Sequence, residues 1–182
     1  MCHLRSSVER RKLMRRWEGE HDFRYLTFSC YRHLPLLGND AIKQVFVDRL
    51  AKAKEKHPYR LIAWVVMPDH AHLLLWPHTP VDTLMHAVKR PVAEAVIRRW
   101  RELEAPILQR ITNSRGERQF WEAGGGHDRN VRDAEEERRF VDYIHENPCR
   151  RGMVDLPHEY RWSSARWYEG LDCPLACDPP DN

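Results

Sequence analysis

The stretch from Leu61 to Trp76 constrains this chain more than any other. LIAWVVM is a near-continuous apolar run of strand length, Pro68-Asp69 makes a turn, and His70 to Trp76 returns as a second run. Two such runs across a tight turn read as a β-hairpin, so the chain must build a sheet around it. FRYLTFSCY, from Phe23 to Tyr31, is rich in aromatic and β-favouring residues and reads as a further strand. Asn39 or Asp40 can cap a helix through Lys56, whose residues Ile42, Phe46, Leu50 and Ala53 share one face, and Pro58 ends it. Asp82 can cap a long helix to about Glu104, with Leu84, Val88, Val92 and Val96 on its apolar side. Pro91 either kinks that helix or starts its second half. Gln119-Phe120-Trp121 reads as a short strand before Gly124-Gly125-Gly126, and Asp133 caps a helix to about Asn147, stopped by Pro148. The order β-α-β-β-α-β-α predicts an α+β fold, a ferredoxin-like antiparallel sheet with helices packed on one face.

The 182 residues suit one domain with extensions. Residues 1–20 read as a basic N-terminal arm or short helix, residues 21–170 as the folded domain, and residues 171–182 as a proline-rich acidic tail expected to be disordered. A net charge of +3 does not by itself announce a nucleic-acid binder. The distribution says more, because Arg10, Arg11, Arg15 and Arg16 crowd the arm, Arg98 and Arg99 close the long helix, and Arg150 and Arg151 follow the last one. Any one basic cluster is commonly a solvated face; three in a small domain favour a polyanion. Five scattered cysteines form no disulfide framework and read as reduced thiols in a cytoplasmic protein. No apolar run is long enough for a membrane span, and no signal peptide is evident.

His70-Ala71-His72 places two imidazoles on one face of a strand, where they can chelate one divalent cation. Alone the pattern is unspecific, since ordinary hydrogen-bonded histidines are common in a chain with 11 of them. Tyr143 and Asn147 are four apart on the last predicted helix and share its face, so Asn147 can add an oxygen to two nitrogens. A free phenol is a poor nucleophile, but a metal can polarise the phosphate it attacks. On residue type alone, a buried structural tyrosine is the commoner case. Trp64, Trp76, Trp100, Phe120 and Trp121 stand among arginines, mostly as core residues, with one or two able to serve as stacking platforms. The triple glycine fits neither a Walker loop nor a dinucleotide fingerprint.

Taken in order, WVVMPDHAHLLLWP, QFWEAGGG, RRFVDYIHENPCRRGMV and EYRWSSARWYEG closely resemble the REP-associated tyrosine transposases, from about Phe23 to Gly170. These are a branch of the HUH single-strand transposases, in which His-hydrophobic-His binds the metal and a helix carries the nucleophilic tyrosine. The resemblance implies that His70 and His72 are metal ligands, that Tyr143 is the catalytic tyrosine on a C-terminal helix, and that Asn147 stands where a third ligand is supplied. It further implies Mg²⁺ or Mn²⁺, a 5′-phosphotyrosine intermediate, and single-stranded or hairpin DNA as partner, bound by a monomer or homodimer. Arg10, Arg11, Arg15, Arg16, Arg98, Arg99, Arg150 and Arg151 are the expected DNA contacts. Two departures bear on target choice: the stretch from Gly124 to Asp128 is longer than in some relatives, and Cys149 and Arg151 replace frequent valine and alanine. Two alternatives remain at this stage. One is a non-catalytic nucleic-acid-binding protein, such as a repeat-element repressor; the other is a metal-dependent phosphodiesterase that uses water.

Overall fold

The computed structural model describes residues 23–124 and 126–178. Nine elements follow in chain order: β1 (Arg24–Ser29), α1 (Asp40–Lys56), β2 (Tyr59–Val66), β3 (His70–Pro77), α2 (Val81–Glu102), α3 (Ile107–Arg110), β4 (His127–Asn130), α4 (Ala134–Arg150) and α5 (Ala165–Tyr168). The four strands form one antiparallel sheet in the order β2-β3-β1-β4. That is the ferredoxin-like arrangement expected from the sequence, with the hairpin β2-β3 at one side and β1 between β3 and β4.

Alternation along the central strands divides the side chains between two faces. Phe28 of β1 meets Phe46 of α1 with ring centroids 5.6 Å apart. On the same face lie α1 and α2, packed against each other over the buried Leu50, Leu84, Val88 and Val92. Tyr25, one step out of phase, turns to the other face and stacks on Phe140 of α4 at 4.2 Å. Two helices therefore cover one face and α4 lies on the other, against β2 and β3, so the helices do not all pack on one face as the sequence suggested, because α4 presents Phe140 to the outward-turned Tyr25. This is why β2 reads as a continuous apolar run: seven of its eight residues, all but Arg60, are buried, so neither face of the strand meets water.

Several boundaries differ from the sequence reading, each for a local reason. The helix α2 starts at Val81 after Pro80, leaving Asp82 in its first turn rather than at the cap, and it continues through Pro91. Pro148 sits in the last turn of α4 and does not stop it before Arg150. Asn39 and Asp133 do cap, accepting from Ala41 N and Glu136 N. The fourth strand is His127–Asn130, not Gln119–Trp121. Its sequence, HDRN, has no apolar alternation to reveal it; it pairs along β1 and is held by the buried Arg24, whose Nε lies 3.3 Å from Asp128 Oδ1. Trp121 instead makes an isolated bridge with Cys30, and Glu122 N donates to Ser29 O at 2.9 Å. Both segments thus run along one edge of β1, with Gly124 and Gly126 between them. Gly126 (φ 92°) is pressed onto β1 so closely that a Cβ there would stand 2.1 Å from Thr27 O.

Residues 171–178 are not a free tail. Trp64 Nε1 donates to Leu175 O at 3.1 Å, Cys177 is buried, and Asp178 accepts from Leu61 N at 2.7 Å and from Lys54. Cys30, Cys149, Cys173 and Cys177 are free thiols, and no helix among the described residues is long and apolar enough to cross a membrane. Arg10, Arg11, Arg15 and Arg16 lie outside the described residues, as does the arm that carries them.

Candidate active site

The register of β1 on β3 sets Thr27 beside His72 and Ser29 beside His70. Both imidazoles rise from β3 toward α4, with ring centroids 4.7 Å apart. Each has one nitrogen committed to the protein. His70 Nδ1 lies 2.8 Å from Asp69 Oδ1, and a carboxylate can only accept, so Nδ1 carries the proton and Nε2 keeps its lone pair. His72 Nδ1 meets the hydroxyls of Tyr25 at 2.8 Å and Thr27 at 2.7 Å. A hydroxyl can donate or accept, and in the tautomer that gives the Nδ1 proton to one of them, His72 Nε2 is left as a lone pair. That nitrogen is buried and has no hydrogen-bond partner. Burial pushes the His72 pKa down to about 3, with help from His70 and Arg151, and burial also lowers His70 despite the opposing Asp69. Both rings are therefore neutral at pH 7, the state in which imidazole binds metals.

Helix α4 supplies the other half of the site. Phe140, Tyr143 and Asn147 follow the i, i+3, i+7 spacing of one helical face. Phe140 is clamped on Tyr25, which fixes the rotation of the helix about its axis. Tyr143 then sits edge-on to His72, centroid to centroid 5.5 Å, and edge-on to Tyr25 at 6.2 Å. It remains 38% exposed, so its hydroxyl-bearing ring is reachable from solvent. Arg150 lies over the Tyr143 ring with Cζ 5.1 Å from the centroid. Arg151 approaches Asp69 at 3.8 Å, linking the helix end to the carboxylate that orients His70. Below α4, His145 Nε2 meets Ser164 Oγ at 2.9 Å, and Ser164 in turn accepts from Trp64 N, tying the helix to β2.

These residues enclose a cavity of about 340 Å³ lined by His70, His72, Tyr143 and Asn147 together with Thr27, Ser29, His33, Arg150 and Arg151. The residues expected to hold a metal and to attack phosphate are thus in one place. Arg150 and Arg151 line it too; Arg98 and Arg99 do not, being exposed on α2, where Arg99 pairs with Glu102. Among the described residues, no group of three or more His, Cys, Asp or Glu stands ready to hold a metal ion. The donor set is instead two imidazoles with the buried amide Asn147 beside them. The orphaned His72 Nε2 fits a cation at this point, because an unpaired buried polar atom is costly unless something satisfies it.

Sequence reasoning missed Tyr25, Thr27, Asp69 and His33. Tyr25 and Thr27 are two apart on a strand, and their role required knowing the β1–β3 register. Asp69 was visible only as a turn residue. His33 enters the cavity through a turn in which Arg32 and His33 both adopt positive φ, 53° and 52°. Such backbone is held here by His33 N donating to Cys30 O and Arg32 N to Glu122 Oε2.

No protein-family model matches the chain. It is 26% identical over 121 residues to a REP-associated tyrosine transposase of Escherichia coli (strain K12), covering 66% of this chain and 63% of that protein. A putative REP-associated tyrosine transposase of Haemophilus influenzae is 26% identical over 117 residues, covering 60% of this chain and 61% of its own length. The chain therefore matches less than two thirds of the length of either relative. Among solved structures, a REP-associated tyrosine transposase bound to a REP hairpin is similar over 92% of this chain and 93% of its own, with a TM-score of 0.65 and 21% identity. The sequence relatives support the resemblance carried by the motifs, and the structural likeness shows a shared fold.

Proposed function

We propose that this protein is a metal-dependent single-strand DNA transposase or endonuclease that cleaves and rejoins DNA through Tyr143, at sequences that form a hairpin. The observation that carries this reading is the meeting of Tyr143 with two neutral imidazoles in one arginine-rimmed cavity. A hairpin target is favoured by the structural relative, which is bound to a REP hairpin. His70, His72 and Asn147 would hold Mg²⁺ or Mn²⁺, which supplies Lewis-acid polarisation of a phosphate oxygen.

The chain's own residues account for the rest. Asp69 and the hydroxyls of Tyr25 and Thr27 fix the two rings, and Arg150 and Arg151 offer cationic donors to phosphates at the cavity mouth. The Tyr143 oxygen forms a bond to phosphorus while the bond from phosphorus to the 3′-oxygen breaks. The phenolic proton is lost to solvent or a cavity base, and the 3′-oxygen leaves as a hydroxyl. The strand is then held as a 5′-phosphotyrosine, whose bond energy is retained for rejoining to another 3′-hydroxyl.

A denaturing gel of protein with hairpin DNA labelled at its 3′ end, in Mn²⁺, tests this. A covalent adduct is expected, and Tyr143→Phe should lower adduct and cleavage by on the order of 10³-fold or more while leaving binding intact. Free cut product without an adduct would instead identify a water-using phosphodiesterase. A native-gel shift with neither product would identify a non-catalytic binder.

A further inference from the structure

Between the first half of α4 and the outer strand β2 lies a second cavity, of about 630 Å³. Its walls are apolar and largely aromatic: Ile62 of β2, Trp76 of β3, Val141 of α4, Tyr168 of α5, and Phe23. Tyr168 keeps 47% of its surface exposed although its hydroxyl donates to Ile62 O at 3.0 Å, so an open aromatic face is pinned at the cavity. The rim carries both signs of charge. Arg60 and Arg138 stand there with Glu137, Asp142 and Asp178. Asp178 is already engaged by Lys54 and Leu61 N. Burial raises the Glu137 carboxyl against the opposing Arg138 and Arg60, so a further cation beside it would be stabilising.

Such a rim suits neither a lone anion nor a lone cation, since a phosphate would meet three carboxylates and a metal ion two guanidinium groups. It suits a peptide with an apolar anchor between charges of both signs. This chain carries one close by. In Arg15-Arg16-Trp17-Glu18-Gly19-Glu20 a tryptophan follows two cations and precedes two carboxylates. The segment leads into Phe23, whose ring lies 5.5 Å from Trp76 and whose carbonyl accepts from Val131 N at 2.9 Å. The chain therefore enters the fold at the cavity wall. Six residues span at most roughly 20 Å, enough to bring Trp17 from Phe23 into the cavity. A tethered segment docks at an effective concentration on the order of millimolar, so individually weak contacts suffice.

We propose that this cavity is the docking site of the chain's own segment 15–20. Trp17 seats between Trp76, Val141 and Tyr168, with Arg15 and Arg16 toward Glu137 and Asp142, and Glu18 and Glu20 toward Arg60 and Arg138. The arm is thereby fastened to the helix that carries Tyr143, and Arg5, Arg10, Arg11 and Lys12 extend from beside it. Docking needs neither DNA nor metal, so it stands or falls apart from the proposed activity. Fluorine NMR of the full chain labelled with 5-fluorotryptophan tests it, Trp17→Phe identifying the Trp17 resonance among the seven tryptophans. In the wild-type chain that resonance should be displaced from its position in the urea-unfolded chain, equally at high and low protein concentration. Val141→Arg, which fills the cavity, should return it to the unfolded position while the other resonances stay dispersed. Asp142→Arg, at an exposed rim position, should remove most of the displacement, and Arg15→Asp with Arg16→Asp in the same chain should restore it. Asp142→Arg decides the matter if Val141→Arg does not fold. A Trp17 resonance at the unfolded position in the wild-type chain overturns the docking. A displacement that survives either substitution in a folded chain, or that disappears on dilution, also overturns it, placing Trp17 on another face or on a second copy.

Discussion

His72 shows how a residue can be misjudged from its spacing alone. The alternation in His70-Ala71-His72 places both rings on one face, but it says nothing of depth, and ligands of this kind are expected to face substrate. Both are in fact buried, 6% and 4% exposed, and each has a dedicated partner. Removing His72 therefore does more than remove a proposed ligand, since it takes away the partner of the Tyr25 and Thr27 hydroxyls. His72→Ala should cost about 1–3 kcal/mol of stability in addition to metal affinity. Asp69 offers a cleaner test, because it touches His70 Nδ1 and not the proposed cation. Asp69→Asn keeps the shape of the turn and removes the acceptor charge that orients the ring. Calorimetric titration with Mn²⁺ should show affinity roughly ten- to a hundredfold weaker, the usual effect of losing such a partner. Unchanged affinity would mean that His70 is oriented by packing alone. The pair, the tyrosine and Asn147 were legible in the sequence, because each follows a strand or helix period. Tyr25, Thr27 and Asp69 were not, because their work depends on the register of β1 against β3 and on a turn that the sequence does not set.

At the scale of elements, the hairpin and the helices α1, α2 and α4 could be read directly, the hairpin from its near-continuous apolar runs and the helices from their helical spacing and, in α1 and α4, their caps. What failed were the pieces held by edges and chain ends. Strand β4 is polar and short, and it exists because β1 offers an open edge and Asp128 reaches Arg24. The segment from Leu171 to Asp178 looked like a tail because it is acidic and proline-rich, yet its last described residue is bound to β2. Asp178→Ala removes acceptors for Leu61 N and Lys54 and should lower stability by about 1–2 kcal/mol in urea unfolding. A null effect would show that Leu175 and Cys177 hold the segment without it. The anchor of α4 makes a prediction in pH. Burial pushes His145 down from 6.5 to about 4. Above pH 6.5 it is neutral in folded and unfolded chains alike and has no effect on the slope. As pH falls below that, the unfolded chain takes up the proton first, so folding is penalised progressively until about pH 4. The full penalty for such a shift is at most roughly 3 kcal/mol. His70 and His72 are lowered in the same direction, so the wild-type curve contains all three. His145→Gln should flatten the fall in thermal midpoint between pH 6.5 and 4, and an identical curve would place the acid sensitivity elsewhere.

For the whole molecule, the question raised by the proposed function is how a domain of modest net charge would grip a polyanion. The net charge of +3 is small because the basic clusters are offset by acidic helix starts and by the C-terminal segment. Affinity must then come from local concentration of charge. Arg150 and Arg151, which line the cavity, would provide it there. Arg5, Arg10, Arg11, Lys12, Arg15 and Arg16, all within the first 16 residues, would be a second source. Each phosphate neutralised on single-stranded DNA contributes about −0.7 to the slope of log affinity against log salt. If three or four of the arm's charges reach phosphates, deletion of residues 1–16 should flatten that slope by roughly 2 to 3 and weaken binding most at low salt. Metal binding at His70 and His72 should be unaffected, because those ligands stand on β3 and their partners on β1 and the β2–β3 turn. Any base reading by the arm would appear separately, as a narrower preference between cognate and scrambled flanks in the truncated chain. Anisotropy across a salt series with both flanks measures the two effects independently. A slope that does not change on truncation would assign the electrostatic contacts to the folded domain, with Arg150 and Arg151 then the first residues to neutralise.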